Sequence, residues 1–228
     1  MLMTVTAVLA GCARETYLTA RDGVAIAYEY HQVPEAKGTA LLVHGLGTSL
    51  DEWYRFSRDL NDGGWDTFAI DLRGHGMSNR WHEEDLDWAN FSSEGRLTAL
   101  RDVDAAIDQL KAVSNLWLIG SSFGSNLAVL TAAERPEVRG VVLFSPGIQM
   151  GSRFTPEEAS RRNDLRVFIA ASGDDPGSPE RARQLYEAYP VVDKKLHLTE
   201  TGGHGSAMLE TVPGLTKEVI EWMNQPSR

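Results

Sequence analysis

The chain alternates short, continuous apolar runs with longer segments in which apolar side chains recur every three or four positions. The runs at 39–45 (TALLVHG) and 66–72 (DTFAIDL) are typical of strands that are covered on both faces of a sheet. The segment 92–112 shows the second pattern most clearly and predicts a helix, with Ser92 or Ser93 as its N-cap. Its apolar stripe consists of Leu97, Leu100, Val103, Ile107 and Leu110.

This alternation predicts eight strands, the later ones separated by helices. The first two strands, at 17–20 and 24–32, flank a turn signal at Arg21-Asp22-Gly23. The other strands begin at positions 39, 66, 116, 138, 165 and 194. Helices are predicted at 50–64, at 92–112, after 122, at 155–158, from 178 and at 214–224. Parallel strands need such crossover helices. The predicted fold class is therefore α/β, a mostly parallel eight-stranded sheet with helices on both faces.

Length indicates how many domains the chain forms, and net charge indicates which classes of partner it is expected to bind. A chain of 228 residues is long enough for one domain with a substantial core. The 32 acidic and 22 basic residues give a formal net charge of −10, which argues against nucleic acid or an anionic lipid surface as the main partner. No apolar run approaches the roughly 20 residues that a membrane-spanning helix needs.

The N-terminus contains the single cysteine of the chain, so no intramolecular disulfide is expected. The stretch MLMTVTAVLAGC is apolar and uncharged, and Leu9-Ala10-Gly11-Cys12 resembles the lipobox of bacterial lipoproteins. The resemblance implies lipidation of Cys12, a leader at 1–12 before a domain at 13–228, and a location in the cell envelope with membrane contact through the anchor. The alternative is a frayed N-terminus with an idle thiol on a cytoplasmic protein.

Candidate chemistry lies in the loops that follow the predicted strands. The fifth strand runs into Gly120-Ser121-Ser122-Phe123-Gly124, a G-x-S-x-G pattern that marks a sharp strand-to-helix turn but also arises by chance. The seventh strand runs into SGDDPGSPE, and the eighth runs into TGGHG. Functional loops of parallel sheets lie beyond the carboxyl ends of the strands, so a serine, an acid and a histidine are expected at one edge.

These motifs, together with LLVHGLG and FAIDLRGHGMS, resemble the α/β-hydrolase superfamily over nearly all of residues 16–225. The resemblance implies that Ser122 is the nucleophile, His204 the general base and Asp175 the acid that orients it. Asp174 is the alternative acid, because adjacent side chains point in different directions. The resemblance further implies an oxyanion hole formed by the backbone N–H groups of Leu46 and Phe123, and a structural role for His44 in the same loop.

The resemblance also indicates the class of substrate. The segment between the sixth and seventh strands leaves room for one short helix, so we expect little or no cap and an open site. The expected activity is a serine-dependent carboxylic ester hydrolase for small or accessible substrates, with no cofactor and no metal site. The same triad fits a thioesterase, a lysophospholipase or an acyltransferase, and a non-catalytic lipoprotein with this fold is the rival from another class.

Three aromatic residues in the loop after the fourth strand allow two interpretations. Trp81, Trp88 and Phe91 either wall a substrate pocket or pin the loop to the core. In the stretch before them, Asp71, Arg73 and Gly74 are predicted to serve the turn and its packing. No catalytic role is expected of these three.

Overall fold

The computed structural model describes residues 16–226 and contains one eight-stranded sheet. Its strand order is β1-β2-β4-β3-β5-β6-β7-β8; β1–β2 and β2–β4 pair antiparallel, and the remaining neighbours pair parallel. The strands are β1 (Thr16–Thr19), β2 (Ala25–His31), β3 (Thr39–Val43), β4 (Asp66–Ile70), β5 (Leu116–Ser121), β6 (Val138–Phe144), β7 (Arg166–Ser172) and β8 (Lys194–Thr199). The predicted α/β fold class is confirmed.

Helices connect the parallel strands. They are α1 (Tyr54–Asp62), α2 (Ser93–Arg96), α3 (Leu100–Gln109), α4 (Phe123–Glu134), α5 (Thr155–Ala159), α6 (Ser178–Ala188), α7 (Met208–Thr211) and α8 (Leu215–Asn224). Short 3₁₀ turns occur at Leu50–Trp53, Trp88–Asn90, Leu97–Ala99 and Gly205–Ala207. None of the helices within residues 16–226 is both long and apolar enough to cross a membrane.

Side chains that alternate along the central strands fill two separate cores, one on each face of the sheet. One core joins the sheet to α3, α4 and α6, and its strand residues include Leu41, Val43, Phe68, Ile70 and Leu118. The other joins the sheet to α1 and α8, and its strand residues include Ala40, Leu42, Ile119, Val142 and Phe168. Each fully buried Leu or Phe contributes about 1.5–3 kcal/mol relative to an exposed one, so both layers hold the sheet rigid.

Loop residues after β4 tie distant elements together, as predicted for the turn. The Arg73 guanidinium binds Asp102 on α3 at 2.7 Å and Asp22 in the β1–β2 turn at 2.7 Å. These two carboxylates raise the pKa of Arg73, against the opposing effect of its burial. Asp71 accepts hydrogen bonds from the backbone N–H groups of Leu50 and Met77, at 2.8 and 2.7 Å. Both side chains thus fix the loops around the carboxyl edge of the sheet.

The helix predicted at 92–112 is interrupted. Ser92 caps it, accepting a hydrogen bond from the Gly95 N–H at 3.0 Å, but a 3₁₀ turn separates α2 from α3. At this turn the Thr98 hydroxyl donates to the Gly95 carbonyl at 2.7 Å, a side-chain bond that competes with the regular helical pattern. The apolar stripe is still buried at Val103 and Ile107.

The segment between β6 and β7 is short, as expected for a protein with little or no cap. It holds a two-residue hairpin, Gln149–Met150 with Arg153–Phe154, and then α5. The hydroxyl of Thr155, the first residue of this helix, donates to the Gly147 carbonyl at 2.9 Å. The predicted lipidation site Cys12 lies outside the described residues and stays a prediction.

Candidate active site

Ser122 occupies a sharp turn between β5 and α4. Its backbone has φ +52° and ψ −110°, a conformation that a residue with a side chain rarely adopts. The turn is tight enough that a Cβ atom on Gly120 would overlap the Gly124 carbonyl, and one on Gly124 would overlap the Val43 carbonyl of β3. The two glycines therefore let α4 start directly above the sheet and leave Ser122 half exposed at its edge.

The structure brings Ser122, His204 and Asp175 together from three separate loops. The His204 Nε2 atom lies 2.7 Å from the Ser122 Oγ atom, and His204 Nδ1 lies 2.7 Å from Asp175 Oδ2. A carboxylate only accepts hydrogen bonds, so Nδ1 carries the proton and Nε2 accepts from the serine hydroxyl. The His204 side chain is 54% exposed and that of Asp175 is 12% exposed. The histidine thus meets solvent while its acid partner is shielded.

Asp174, the alternative acid, does not contact the His204 ring and binds backbone groups of the loop that carries it. Its Oδ1 accepts hydrogen bonds from the N–H groups of Gly202 at 3.2 Å and Gly203 at 3.0 Å, and from the Ser172 hydroxyl. These bonds, the one from Ser172 above all, lower the pKa of Asp174. The adjacent aspartates therefore hold the histidine loop at two places. Asp174 binds its backbone and Asp175 binds the His204 ring.

Two further serines hold the loop that carries His204 through its backbone. The Ser145 hydroxyl after β6 accepts from the Gly205 N–H at 2.9 Å, and the Ser121 hydroxyl accepts from the Ser206 N–H at 3.0 Å. Both serines are buried, and Ser145 has a positive φ of 48°. Ser121 is the residue before Ser122 in the G-x-S-x-G pattern. Its contact with the loop gives it a positioning role that no local motif reveals.

The residues predicted to supply the oxyanion donors, Leu46 and Phe123, both line a cleft at Ser122. Phe123 is the first residue of α4, and Leu46 sits in the loop after β3. Neither backbone N–H has an acceptor among the described residues. Below this loop, His44 Nε2 accepts from the Leu72 N–H at 2.9 Å and its Nδ1 donates to the Gly45 carbonyl at 2.7 Å. Burial lowers the pKa of His44 to about 3, so the ring is a neutral structural link.

Glu52 is a further carboxylate near Ser122. It accepts hydrogen bonds from the Thr48 hydroxyl at 2.6 Å and from the Gly45 N–H at 3.3 Å. Burial raises the pKa of Glu52, although hydrogen bonds from Thr48 and Ser121 oppose the shift. Nothing in the sequence marks this residue, because it belongs to the helical segment 50–64. In the structure it holds the loop after β3 at Gly45 and Thr48.

Ser122 lies where two clefts meet. The larger cleft has a volume of about 760 Å³ and is lined by Glu52, His204 and Ser206. The smaller one has a volume of about 270 Å³ and is lined by Phe123. Leu46 and Ser122 line both. A substrate whose reactive carbon sits on Ser122 Oγ can therefore extend in two directions.

The remaining candidates from the sequence lie away from these clefts. Trp88 stacks on His75 with ring centroids 5.4 Å apart and packs against Gly47, so it pins its loop to the oxyanion loop. Trp81 is 39% exposed and lies on a small hairpin whose two strands, Arg80–Trp81 and Glu84–Asp85, are two residues long each. No group of three or more His, Cys, Asp or Glu among residues 16–226 is arranged to hold a metal ion.

Comparison with protein families agrees with this architecture. The family model for the alpha/beta hydrolase fold matches residues 40–172, which include the oxyanion loop and the Ser122 turn. The chain belongs to the α/β-hydrolase family. The match ends before Asp174, so the acid and histidine loops are placed by the structure alone.

Individual relatives of this α/β-hydrolase are distant. A 2-hydroxy-6-oxononadienedioate/2-hydroxy-6-oxononatrienedioate hydrolase of Escherichia coli K12 is 28% identical over 150 residues, covering 63% of this chain and 49% of the relative. The chain thus spans about half the length of the curated relatives it matches. An esterase of Pyrococcus furiosus superposes with a TM-score of 0.74 at 16% identity, covering 92% of this chain and 91% of that one. An enol-lactonase of Burkholderia xenovorans superposes with a TM-score of 0.74 at 14% identity, covering 92% of this chain and 100% of that one.

Proposed function

We propose that this α/β-hydrolase is a serine hydrolase that cleaves carboxylic ester bonds of small or accessible substrates through an acyl-enzyme. The observation that carries the proposal is the continuous contact from Asp175 through His204 to Ser122, with both distances at 2.7 Å. Such a chain polarises a serine hydroxyl without help from a metal or a cofactor.

The geometry supports a two-step reaction. Ser122 Oγ attacks the ester carbon while His204 Nε2 takes its proton, and Asp175 stabilises the imidazolium that forms. The N–H groups of Leu46 and Phe123 then bind the negative oxygen of the tetrahedral intermediate. His204 returns the proton to the leaving alcohol as the carbon–oxygen bond breaks. A water molecule, deprotonated by the same histidine, next attacks the acyl-enzyme and releases the acid.

Two observations support an accessible ester as the substrate. The segment between β6 and β7 leaves the site open, since it contains only a small hairpin and the five-residue helix α5. The solved structures that superpose on this chain include an esterase, a monoacylglycerol lipase and an enol-lactonase, and the curated relatives are hydrolases. The triad itself leaves the leaving group open. Thioesters and acyl transfer to another alcohol therefore belong in the same assay.

The test is hydrolysis of p-nitrophenyl acetate, butyrate and octanoate by the full chain and by the Ser122→Ala variant. We expect turnover by the parent and a loss of about 10³-fold or more in the variant, which removes the nucleophile. Ser121→Ala is the matched control, because it removes the adjacent hydroxyl. It should keep labelling by a serine-reactive phosphonate while losing part of the rate. Equal activity of the parent and Ser122→Ala would refute the proposal.

A further inference from the structure

The two clefts at Ser122 hold different halves of an ester, if the proposed function holds. The leaving alcohol must receive its proton from His204 Nε2, so it departs on the side where His204 lies. His204 lines the larger cleft and does not line the smaller one. The smaller cleft, which begins at Phe123, therefore receives the acyl group.

These clefts also differ in charge. Four carboxylates and two arginines line the larger cleft, namely Glu52, Asp59, Asp62, Glu210, Arg55 and Arg58. Two arginines, Arg96 and Arg181, line the smaller cleft, and no Asp or Glu among residues 16–226 does so. Glu94, on the same short helix as Arg96, binds the Ser152 hydroxyl at 3.3 Å. The side chains that line the acyl cleft are thus net positive in a chain with a net charge of −10, with the Glu94 carboxylate lying behind Gly151 of the cleft wall.

Neither arginine of the acyl cleft is neutralised by a carboxylate. The Arg96 Nε atom is buried and has no hydrogen-bond partner in the described part of the chain. Arg181 donates to the Pro176 carbonyl at 3.3 Å, a weak contact with a neutral group. By contrast, the buried Arg73 and Arg166 and the half-buried Arg135 and Arg153 are ion-paired. Buried and partly buried cations are normally paired, and Arg96 and Arg181 depart from that rule within residues 16–226.

Packing holds both guanidinium groups at the cleft. The Arg96 guanidinium lies 5.8 Å from the centroid of the Trp88 ring, which is itself stacked on His75. Arg181 lies over Gly177, where a Cβ atom would come within 2.6 Å of Arg181 Nη1. The absence of a side chain at Gly177 therefore makes room for the guanidinium. Such preorganised arginines match the planar geometry of a carboxylate.

We propose that the smaller cleft binds the free carboxylate of a short dicarboxylic acyl group, so that the preferred substrate is a half-ester of a dicarboxylic acid. A cleft of about 270 Å³ fits an acyl chain of a few carbons. Arg96 and Arg181 bind the distal carboxylate, while Ser122 attacks the ester carbon. Hydrolysis then releases the alcohol into the larger cleft and leaves a dicarboxylate as the acid product.

Matched pairs of alkyl esters test this substrate class. Monomethyl succinate, glutarate and adipate are compared with methyl butyrate, valerate and hexanoate, with acid release followed in a pH-stat. We expect kcat/KM of at least one half-ester to exceed that of its neutral partner by about 10-fold or more, the size of one charge-assisted hydrogen bond. Added salt should reduce this preference, because the cleft is open to solvent.

Substitution assigns the preference to the arginines. Arg96→Met and Arg181→Met should each bring the ratio of kcat/KM for the half-ester to kcat/KM for its neutral partner near unity. Arg183→Met is the matched control, since Arg183 is exposed on the same helix as Arg181 and lies outside the cleft. It should retain the full preference. A parent enzyme that prefers the neutral esters, or a preference that survives in both cleft variants, would overturn the inference.

A binding measurement distinguishes failure of the esterase proposal from failure of the carboxylate-site proposal. Glutarate is titrated calorimetrically into the parent chain and into the three arginine variants. If no ester is hydrolysed but glutarate binds, and binds at least tenfold more weakly to Arg96→Met and Arg181→Met, the carboxylate site stands and the esterase proposal fails. If esters are hydrolysed through Ser122 without preference and glutarate does not bind, the esterase stands and the carboxylate site fails.

Discussion

The adjacent aspartates after β7 offer a sharp test of how the site is built. Asp175→Asn replaces the carboxylate oxygen that lies 2.7 Å from His204 Nδ1 with an uncharged amide. An amide N–H facing the ring favours the tautomer with the proton on Nε2, and that tautomer cannot take the proton of Ser122. The change also removes the charge that stabilises the imidazolium in the transition state.

The expected loss can be set against that of Asp174→Asn. For Asp175→Asn, a wrong tautomer and an uncompensated imidazolium together predict a fall in kcat of about 10⁴-fold, which corresponds to about 5 kcal/mol of transition-state stabilisation. Asp174→Asn keeps an amide oxygen that can still accept from the Gly203 N–H at 3.0 Å. Its kcat should fall by less than about 10-fold, because His204 keeps its charged partner.

The assay is steady-state hydrolysis of p-nitrophenyl butyrate by the parent and both variants, with circular dichroism as the check on folding. The two substitutions are isosteric and lie one position apart, so any general effect of charge removal is shared. An equal loss of kcat in both variants, or a kcat of Asp175→Asn within tenfold of that of the parent, would refute the division of roles between the two carboxylates.

Three further predictions concern a buried carboxylate, a tightly packed glycine and the N-terminal cysteine. Burial raises the pKa of Glu52. Protonated Glu52 therefore stabilises the folded state below its ordinary pKa, and this stabilisation is lost as the pH rises through the raised pKa. The melting temperature of Glu52→Gln should accordingly increase relative to that of the parent between pH 4 and pH 8, and a constant difference would contradict this. Gly124→Ala should lower the free energy of unfolding by about 3 kcal/mol in urea titrations, because its Cβ would come within 2.6 Å of the His44 carbonyl oxygen. Gly45→Ala, with Cβ contacts at 3.6 Å, is its control and should cost clearly less. If Cys12 is lipidated, Cys12→Ser should abolish incorporation of labelled palmitate in a bacterial host, and labelling that persists would rule the anchor out at this residue.

The strands were predictable because of where they lie in the fold. Both faces of β3 to β7 are covered, so each appears in the sequence as a continuous apolar run with a polar or glycine boundary. The interruption between α2 and α3 was not predictable from the apolar stripe. A 3₁₀ turn preserves the buried face, and it differs from the helix in its local hydrogen bonds, such as that of the Leu100 N–H with the Leu97 carbonyl.

Residues named from the motifs meet at one edge because the parallel strands that precede them all end there. Ser122 follows β5, Asp175 follows β7 and His204 follows β8. Their supports were invisible in the sequence. Ser145 and Glu52 approach the site from other elements, and no spacing rule connects them to it. Contacts between residues far apart in sequence need the sheet order and register, which a single chain does not encode in any local pattern.

Two neighbouring pairs of similar residues follow one logic in this fold. In Ser121-Ser122 and in Asp174-Asp175, one member contacts His204 directly, and the other binds the backbone of the loop that carries it. Successive side chains leave a turn in different directions, so a doubled residue reaches both the ring and its loop from one rigid strand end. A substitution of either loop-binding member should therefore act on the position of the histidine, and its effect on rate should grow where the leaving group most needs a proton from His204.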